Sequence, residues 1–295
     1  MSAQRLREFL AAGQTIQMPG VYDALTARLA EQAGFTVAFV SGYAVSAARL
    51  AAPDFGYVTQ TEMAEVAREV CAATDMPVLV DADTGYGNAL SAMRTARGLV
   101  AAGASGLFLE DQAWPKKCGH FAGKRVVQTE DWLTKLQAII DLRDAGVDIF
   151  VVARTDARAA VSLHEAIARA QAALEIGVDA IFVEAPQSIE ELRAVADATP
   201  GAVRVANMVE GGRTPLLNPA ELHDLGYDLI VTPLTALFSA TRAIQEAFAI
   251  LAREGTMRAH RDRLIDFADF GTVVDLPSHS ALERRYAADP SAPAS

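Results

Sequence analysis

The sequence predicts a (β/α)8 barrel, in which eight parallel strands are enclosed by a ring of helices. Three observations support this fold class. Short apolar runs alternate with longer stretches of helical periodicity, which is typical of repeated βα units. The apolar runs are continuous, as expected for strands that are buried on both faces. The chain has 295 residues, of which 51% are hydrophobic, and barrels often run to ~250 residues as one domain.

The predicted elements follow one another in a regular order along the chain. Strands are predicted over residues 15–21, 36–40, 77–81, 106–110, 149–154, 180–184, 203–207 and 229–232. Helices are predicted over residues 23–33, 60–73, 88–102, 129–144, 162–176, 187–198, 217–225 and 234–254. Several helices end in a glycine just before the next strand, as at Gly34, Gly103, Gly177 and Gly226. Glycine readily takes the left-handed conformation that ends a helix, so these positions support the repeat.

The domain organisation follows from this order. We predict a catalytic barrel over residues 1–260 and a C-terminal helical extension over residues 261–287 that is used in oligomerisation. Residues 288–295 have few side chains to bury, and we expect a disordered tail there. The last barrel helix and the extension carry more apolar side chains than one buried face needs, including Phe238 and Phe267. This surplus predicts a homo-oligomer.

Composition excludes several classes of function. The chain has 26 Lys and Arg against 37 Asp and Glu, a net charge of −11, which repels nucleic acid and anionic lipid. Two cysteines, Cys71 and Cys118, cannot form a disulfide framework and fit a reducing compartment. The N-terminus lacks the apolar core of a signal peptide, and no apolar run approaches the ~18 residues of a membrane span. We therefore expect a cytoplasmic protein.

Polar residues stand where the predicted strands end, and a barrel of this kind has its active site at that rim. They are Ser41-Gly42-Tyr43, Asp81 and Asp83, Glu110-Asp111-Gln112, Arg154-Thr155-Asp156, Glu184, Asn207 and Thr235. One such residue is as often structural as functional. Seven such segments on one rim favour a functional site.

Three of these residues form a candidate metal site. Asp81 and Asp83 are two residues apart, so on a strand their carboxylates would project to the same side, and Glu110 ends the neighbouring strand. Three carboxylates without a soft ligand suit Mg²⁺ or Mn²⁺. The alternative is that Asp83 only begins the turn over residues 83–87, because Asp often precedes Gly in turns.

The segment over residues 111–124 reads as a hinged lid that carries a reactive group. It places Lys116, Lys117, Cys118 and His120 between flexible positions. Cationic neighbours favour a thiolate, whereas bound substrate carboxylates favour a thiol, so Cys118 is a candidate proton donor. Cys71 lies within a predicted helix and is interpreted as a small buried hydrophobe.

These motifs identify the chain as similar to the isocitrate lyase/phosphoenolpyruvate mutase superfamily, over residues 5–285. The resemblance rests on Ser41-Gly42-Tyr43, Pro53-Asp54-Phe55-Gly56, Asp81-Ala82-Asp83, Glu110-Asp111-Gln112, Lys116-Lys117-Cys118-Gly119-His120, residues 153–157, Glu184-Ala185-Pro186 and Asn207. The segment 116–120 resembles the lyase signature, whereas phosphonomutases carry a different lid without this cysteine. Residues 207–215 depart from the methylisocitrate lyase pattern and, with residues 111–115 and 233–237, resemble the subgroup of 2,3-dimethylmalate lyase and petal death protein.

The resemblance implies a Mg²⁺-dependent carbon–carbon lyase. Its substrate would be a 2-hydroxy di- or tricarboxylate, such as 2-methylisocitrate or 2,3-dimethylmalate, and its products a 2-oxo acid and a carboxylate. The implied substrate-binding residues are Ser41, Gly42, Tyr43, Gly119, His120, Arg154, Glu184 and Asn207. Cys118 would protonate the carbanionic carbon, and His120 would belong to the lid's switch. The general base stays open between Asp54, Tyr43 and a metal-bound hydroxide.

Three other functions compete with this reading. An oxaloacetate hydrolase or decarboxylase would use nearly the same site, with an activated water. A phosphonomutase is disfavoured by Cys118. A non-catalytic barrel would be expected to have lost at least one of Asp81, Asp83, Cys118 or Arg154. The resemblance also implies exchange of C-terminal helices between paired barrels and a homotetramer built as a dimer of dimers.

Overall fold

Eight strands run through the described part of the chain. A computed structural model describes residues 3–118 and 123–287. Its strands are β1 (Ile16–Val21), β2 (Ala38–Val40), β3 (Val78–Asp81), β4 (Gly106–Glu110), β5 (Phe150–Thr155), β6 (Ala180–Val183), β7 (Val205–Asn207) and β8 (Leu229–Thr232). All neighbouring pairs are parallel, in the order β6-β5-β4-β3-β2-β1-β8-β7. A parallel bridge from Ile181 to Arg204 connects the two ends of this order. The predicted (β/α)8 barrel is confirmed.

Helices follow the strands at nearly the predicted places. They are α1 (Ala3–Ala11), α2 (Ala24–Gln32), α3 (Gly42–Leu50), α4 (Gln60–Ala73), α5 (Ala89–Ala101), α6 (Thr129–Asp144), α7 (Ala157–Ala160), α8 (Leu163–Glu175), α9 (Ile189–Ala198), α10 (Pro219–Asp224) and α11 (Thr235–Glu254). After a 3-10 turn (Arg258–Arg263) come α12 (Phe267–Val273) and α13 (Leu276–Tyr286). Helices α1, α3 and α7 were not predicted, since they are short and lie outside the βα alternation.

The barrel interior is a packed core. Phe108 lies between Phe39 and Phe182, with ring centroids 4.8 and 5.8 Å away, respectively. Met18, Leu79 and other apolar side chains belong to the same buried cluster. The interior is thus filled, as in other barrels of this type, and it forms a rigid floor beneath the carboxyl ends of the strands.

The chain divides into two compact units, Met1–Leu237 and Phe238–Ser295. The first contains all eight strands. In the second, α11 exposes Phe248 and Leu251, and Phe267 on α12 is 89% exposed. Few apolar side chains of this unit are buried; Ile250 and Val273 are among them. None of the described helices is both long enough and apolar enough to cross a bilayer.

Candidate active site

The strand-end residues converge because of the alternation of side chains along each strand. Residues two apart on a strand point to the same side, and each candidate lies two residues beyond an apolar residue of the interior cluster. The pairs are Phe39 and Ser41, Leu79 and Asp81, Phe108 and Glu110, Val152 and Arg154, Phe182 and Glu184, and Val205 and Asn207. A layer of polar side chains therefore follows the inward-facing apolar layer at the carboxyl ends of the strands.

One side of this layer, which we call the acidic half, consists of Asp54, Asp81 and Asp83 around Lys116. The Lys116 Nζ lies 2.7 Å from Asp54 Oδ1 and 2.5 Å from Asp83 Oδ1. All four side chains are buried. The Asp83 backbone N–H donates to Asp81 Oδ1 at 3.1 Å. The acidic half thus holds three carboxylates around one described ammonium group.

Asp83 reaches this cluster from a turn and not from a strand. Strand β3 ends at Asp81, and Asp83 has a φ of 47°. The prediction that both carboxylates project from one strand is therefore wrong. The backbone of Asp83 follows the alternative, in which this residue begins a turn. Tyr86 in the same turn also has a positive φ, 58°. Left-handed backbone at residues other than glycine costs of order 1–3 kcal/mol and is found mainly at functional sites.

The start of α3 lies directly against Asp81. A Cβ on Gly42 would come within 2.7 Å of Asp81 Oδ2, so any larger residue here would displace the Asp81 carboxylate. Ser41 caps the helix by accepting from the Ala44 N–H at 3.3 Å. The first turn of a helix, which here begins at Gly42, presents its N–H groups outward and favours an anion.

Burial and the crowding of like charges raise the pKa values of two acids in this region. Burial raises the pKa of Asp83 to about 7; Lys116 opposes this shift, while Asp81 and Asp54 add to it. Burial likewise raises the pKa of Glu110 well above its usual value, against the influence of Arg154. Glu110 Oε1 is buried without a hydrogen-bond partner among the described residues. The negative charge here exceeds what the neighbouring cations compensate.

This excess charge fits a divalent cation. Across residues 3–118 and 123–287, no three Asp, Glu, His or Cys side chains converge as a complete set of direct ligands. Mg²⁺, however, usually takes only one or two carboxylates and keeps several waters. The orphaned oxygen of Glu110 and the crowded carboxylates of Asp81 and Asp83 are the donors that such an ion requires.

The opposite side, which we call the basic half, is organised around Arg154. Its Nε lies 3.0 Å from Asp156 Oδ2 and 3.4 Å from Glu110 Oε2, and its Nη2 lies 3.3 Å from Glu184 Oε2. The guanidinium carbon lies 5.3 Å from the centre of the Phe182 ring. Asn207 Nδ2 donates to the Glu184 carboxylate at 3.2 Å. Arg154 is therefore fixed on several sides while it still lines the cavity.

The segment that carries Cys118 is anchored at its described end. The Cys118 N–H donates to the Asp54 carbonyl at 3.1 Å. The Gln112 side chain donates to the Lys117 carbonyl at 2.8 Å and accepts from the Lys117 N–H at 3.0 Å. Gly119 and His120, two predicted site residues, lie outside the described residues. Burial raises the pKa of Tyr43, with Cys118 and Asp54 adding to the shift, and all three residues line the same cavity.

The two halves and Cys118 enclose a cavity of about 40 Å³. Its polar lining is Ser41, Tyr43, Asp54, Asp81, Cys118, Arg154, Glu184 and Asn207. Its apolar lining is Phe39, Phe182, Val209, Val231, Pro233 and Leu234. Sequence reasoning missed this apolar lining, although residues 231 and 233 continue the same alternation from β8.

Two other predicted rim residues take structural roles. Asp111 accepts from Thr155 Oγ1 at 2.6 Å and from Arg169 Nη1 at 3.1 Å, and it is fully buried away from the cavity lining. Thr235 donates its hydroxyl to Glu210. Sequence position alone placed both at the rim, but their partners show that they connect adjacent loops.

Comparison with known proteins gives relatives over most of the chain. A family model described as phosphoenolpyruvate phosphomutase matches residues 6–252. A chloroplastic carboxyvinyl-carboxyphosphonate phosphorylmutase from Arabidopsis thaliana is 50% identical, over 92% of this chain and 80% of that protein. The petal death protein of Dianthus caryophyllus is 47% identical, over 92% and 85%. The 2,3-dimethylmalate lyase of Eubacterium barkeri is 39% identical, over 97% and 98%.

Solved structures agree with these relatives. An oxaloacetate acetylhydrolase in complex with 3,3-difluorooxalacetate superposes with a TM-score of 0.91 at 30% identity, covering 96% of each chain. A 2,3-dimethylmalate lyase has a TM-score of 0.90 at 33% identity, covering 96% of this chain and 94% of that one. A phosphonopyruvate hydrolase in complex with oxalate and Mg²⁺ has a TM-score of 0.86 at 30% identity, covering 97% and 99%.

Proposed function

Because the chain belongs to the phosphoenolpyruvate mutase/isocitrate lyase superfamily and is a carbon–carbon lyase of it, we propose that it cleaves 2-hydroxydicarboxylates with the help of Mg²⁺. The favoured substrates are 2-alkylmalates such as 2,3-dimethylmalate. Mn²⁺ is the alternative ion, since it accepts the same oxygen donors. The products are a 2-oxo acid and a carboxylate.

One observation carries the choice of substrate class, namely the composition of the cavity wall. Among the described residues that line the cavity, Arg154 is the one cationic side chain, and Val209, Val231, Pro233 and Leu234 form an apolar wall. A tricarboxylate such as 2-methylisocitrate would bring a third carboxylate that needs a further cation. A dicarboxylate with methyl substituents places apolar groups against apolar side chains, where their burial is favourable.

The residues would divide the reaction between the two halves. Arg154 presents a planar fork of donors to one substrate carboxylate. The N–H groups of Gly42 and Tyr43, with Ser41, hold the carboxylate of the departing 2-oxo acid. Glu184 and Asn207 orient the substrate from the side of Arg154. Asp81, Asp83 and Glu110 would hold the metal ion, which when bound supplies Lewis-acid stabilisation of negative charge on substrate oxygen.

Two proton transfers accompany bond cleavage. Asp54 takes the proton of the 2-hydroxyl group, and the electron pair of the C2–C3 bond stays on C3. Cys118 then gives its thiol proton to C3, which converts the aci-carboxylate into the product carboxylate. With 2,3-dimethylmalate the products are pyruvate and propionate. In this proposal, His120 belongs to the lid's switch and contacts the substrate.

Asp54 suits the role of base better than Tyr43. Asp54 is buried and lines the cavity, and its carboxylate lies 2.7 Å from Lys116 Nζ, which fixes its position beside the substrate. The raised pKa of Tyr43, caused by burial and then by Cys118 and Asp54, keeps that phenol protonated. Tyr43 is thus a hydrogen-bond donor to substrate oxygen in this proposal.

Oxaloacetate hydrolysis is the second candidate. It is favoured by the similarity to the oxaloacetate acetylhydrolase structure, and it would need the same cation and the same arginine. A phosphorylmutase reaction has the support of a relative's name, but the thiol of Cys118 supplies a proton for which phosphoryl transfer has no use.

A product assay decides among these reactions. We would incubate the protein with Mg²⁺ and, separately, 2,3-dimethylmalate, 2-methylisocitrate, isocitrate, oxaloacetate and phosphonopyruvate, and identify the products by NMR. We expect the highest kcat/KM with 2,3-dimethylmalate. In D₂O the propionate should carry one deuterium at C2. Turnover of oxaloacetate alone, or a change in a phosphorus–carbon bond, would contradict the proposal.

We further propose a cytoplasmic homotetramer, built as a dimer of dimers through helices exchanged after the barrel. The exposed apolar side chains of α11, α12 and α13 support subunit contact, because such a surface is costly in water. Light scattering should give about four times 31.3 kDa. A stable monomer at micromolar concentration would refute the assembly, as would an unchanged tetramer after deletion from residue 255.

A further inference from the structure

A buried carboxylate in the basic half is shared between two cations. Asp156 Oδ1 lies 2.7 Å from Lys124 Nζ, and its Oδ2 accepts from Arg154 Nε at 3.0 Å. The Lys124 and Asp156 side chains are 1% and 0% exposed. Burying charges to this degree costs free energy unless the charges are paired. The folded protein must therefore keep these side chains in contact. Lys124 is 32 residues away from Asp156 in sequence.

Asp156 is itself held in place from the other side. Its backbone N–H donates to Asp111 Oδ1 at 2.8 Å, and Thr155 Oγ1 donates to Asp111 Oδ2 at 2.6 Å. Arg169 Nη1 completes the contacts of Asp111 at 3.1 Å. The carboxylate that receives Arg154 therefore belongs to a rigid, fully buried network that lies behind the cavity.

The charge of Asp156 determines what Arg154 can offer to a ligand. Burial alone would raise the pKa of Asp156, but Arg154 and Lys124 together outweigh it and lower the pKa to about 2. Asp156 is thus an anion, and without Lys124 its full charge would act on the guanidinium group of Arg154. That group would be drawn towards Asp156 and its field at the cavity would be reduced.

We propose that Lys124, acting through Asp156, is a positioning residue for Arg154. Lys124 takes up part of the charge of Asp156, so Arg154 stays oriented by this carboxylate but retains positive charge for the substrate carboxylate. Lys124 is not among the residues that line the cavity, so its effect on the ligand is exerted through its contact with Asp156. The inference rests on the proposed function only in that the ligand of Arg154 is a carboxylate.

The test uses the full chain and the variants Lys124→Met, Lys124→Gln and Lys124→Arg. Arg7→Met is the matched control, because Arg7 forms a part-buried ion pair with Asp179 at 2.9 Å, away from the cavity. Oxalate binding in the presence of Mg²⁺ is measured by calorimetry, KM and kcat by the product assay, and Tm by thermal unfolding.

We expect Lys124→Met and Lys124→Gln to weaken oxalate binding and raise KM by about tenfold or more, with a smaller fall in kcat. Lys124→Arg should restore both values to near wild type, since it keeps the charge. Arg7→Met should lower Tm without changing either value. Oxalate affinity within twofold of wild type in both neutral variants would overturn the proposal, as would a failure of Lys124→Arg to restore it. Because oxalate binding needs no turnover, it tests the proposal even if no diacid is cleaved.

Discussion

The two halves of the site lie at the same rim of the barrel but surround their buried aspartates with opposite charge environments. In the acidic half, Asp54, Asp81 and Asp83 share the single ammonium group of Lys116, and burial with mutual repulsion raises the pKa of Asp83 to about 7. In the basic half, Asp156 lies between two cations, which lower its pKa to about 2 although burial opposes them. The pKa of an aspartate is thus raised in one half and lowered in the other, although both side chains are buried.

The difference shows which half is complete without a ligand. The basic half has its charges paired and its donors fixed by neighbouring residues, so it is preorganised to receive an anion. The acidic half has more negative charge than its described cations neutralise, which is the condition for binding a further cation. The metal-bound 2-hydroxydicarboxylate that we propose as substrate would match both halves at once, because it would present a cation to one and a carboxylate to the other.

The largest effect should come from removing a carboxylate of the acidic half. We expect Asp81→Ala or Asp83→Ala to lower kcat/KM by at least about 10³-fold, because Lewis-acid stabilisation is worth several kcal/mol. EDTA should do the same to the wild type. Asp75→Ala is the matched control, since Asp75 precedes the same strand at its other end and lies outside the cavity lining. Full turnover in excess EDTA would show that the acidic half needs no metal.

The next effect concerns Cys118, which lies between the halves. Cys118→Ser should reduce lyase turnover by about 10²–10⁴-fold, because a hydroxyl group is a much weaker acid than a thiol. Oxalate binding should change little. Cys71→Ala serves as the control, because Cys71 belongs to the buried face of α4 and burial raises the pKa of its thiol to about 11. An unchanged rate in Cys118→Ser would mean that the thiol is structural.

The third experiment compares how much each half contributes to the free energy of unfolding. Asp156→Asn leaves Arg154 and Lys124 buried without their shared anion, so we expect a loss of roughly 3–5 kcal/mol in the free energy of unfolding. Asp83→Asn should cost less than about 1 kcal/mol in EDTA, since Lys116 keeps Asp54 as its partner and Asn tolerates the left-handed backbone. Urea unfolding measures both. Equal losses would contradict the electrostatic distinction between the halves.

The sequence was sufficient for the barrel because its signals are local and periodic. Helices over residues 60–73 and 129–144 agree with α4 and α6 residue for residue, and strand ends identified most of the polar part of the cavity lining. Helix α3 was missed because its start depends on the cap at Ser41 and its contact with Asp81. The pairing of Lys124 with Asp156 was missed for a different reason. It joins distant parts of the chain, and no periodic pattern encodes such a contact.

The smallest expected effect is the pH dependence of the basic half. Because the pKa of Asp156 falls from 3.8 to about 2 on folding, its charged form stabilises the folded state above about pH 4, and this contribution is lost as the pH falls through 2. It amounts to about 2 kcal/mol. The difference in unfolding free energy between wild type and Asp156→Asn should therefore be constant from pH 7 to pH 5 and shrink below pH 4. Val195→Ala, an uncharged core variant in α9, should show no such trend in urea unfolding at the same pH values. A difference that stays constant down to pH 3 would mean that the two cations do not hold Asp156 in its charged form more strongly than water does.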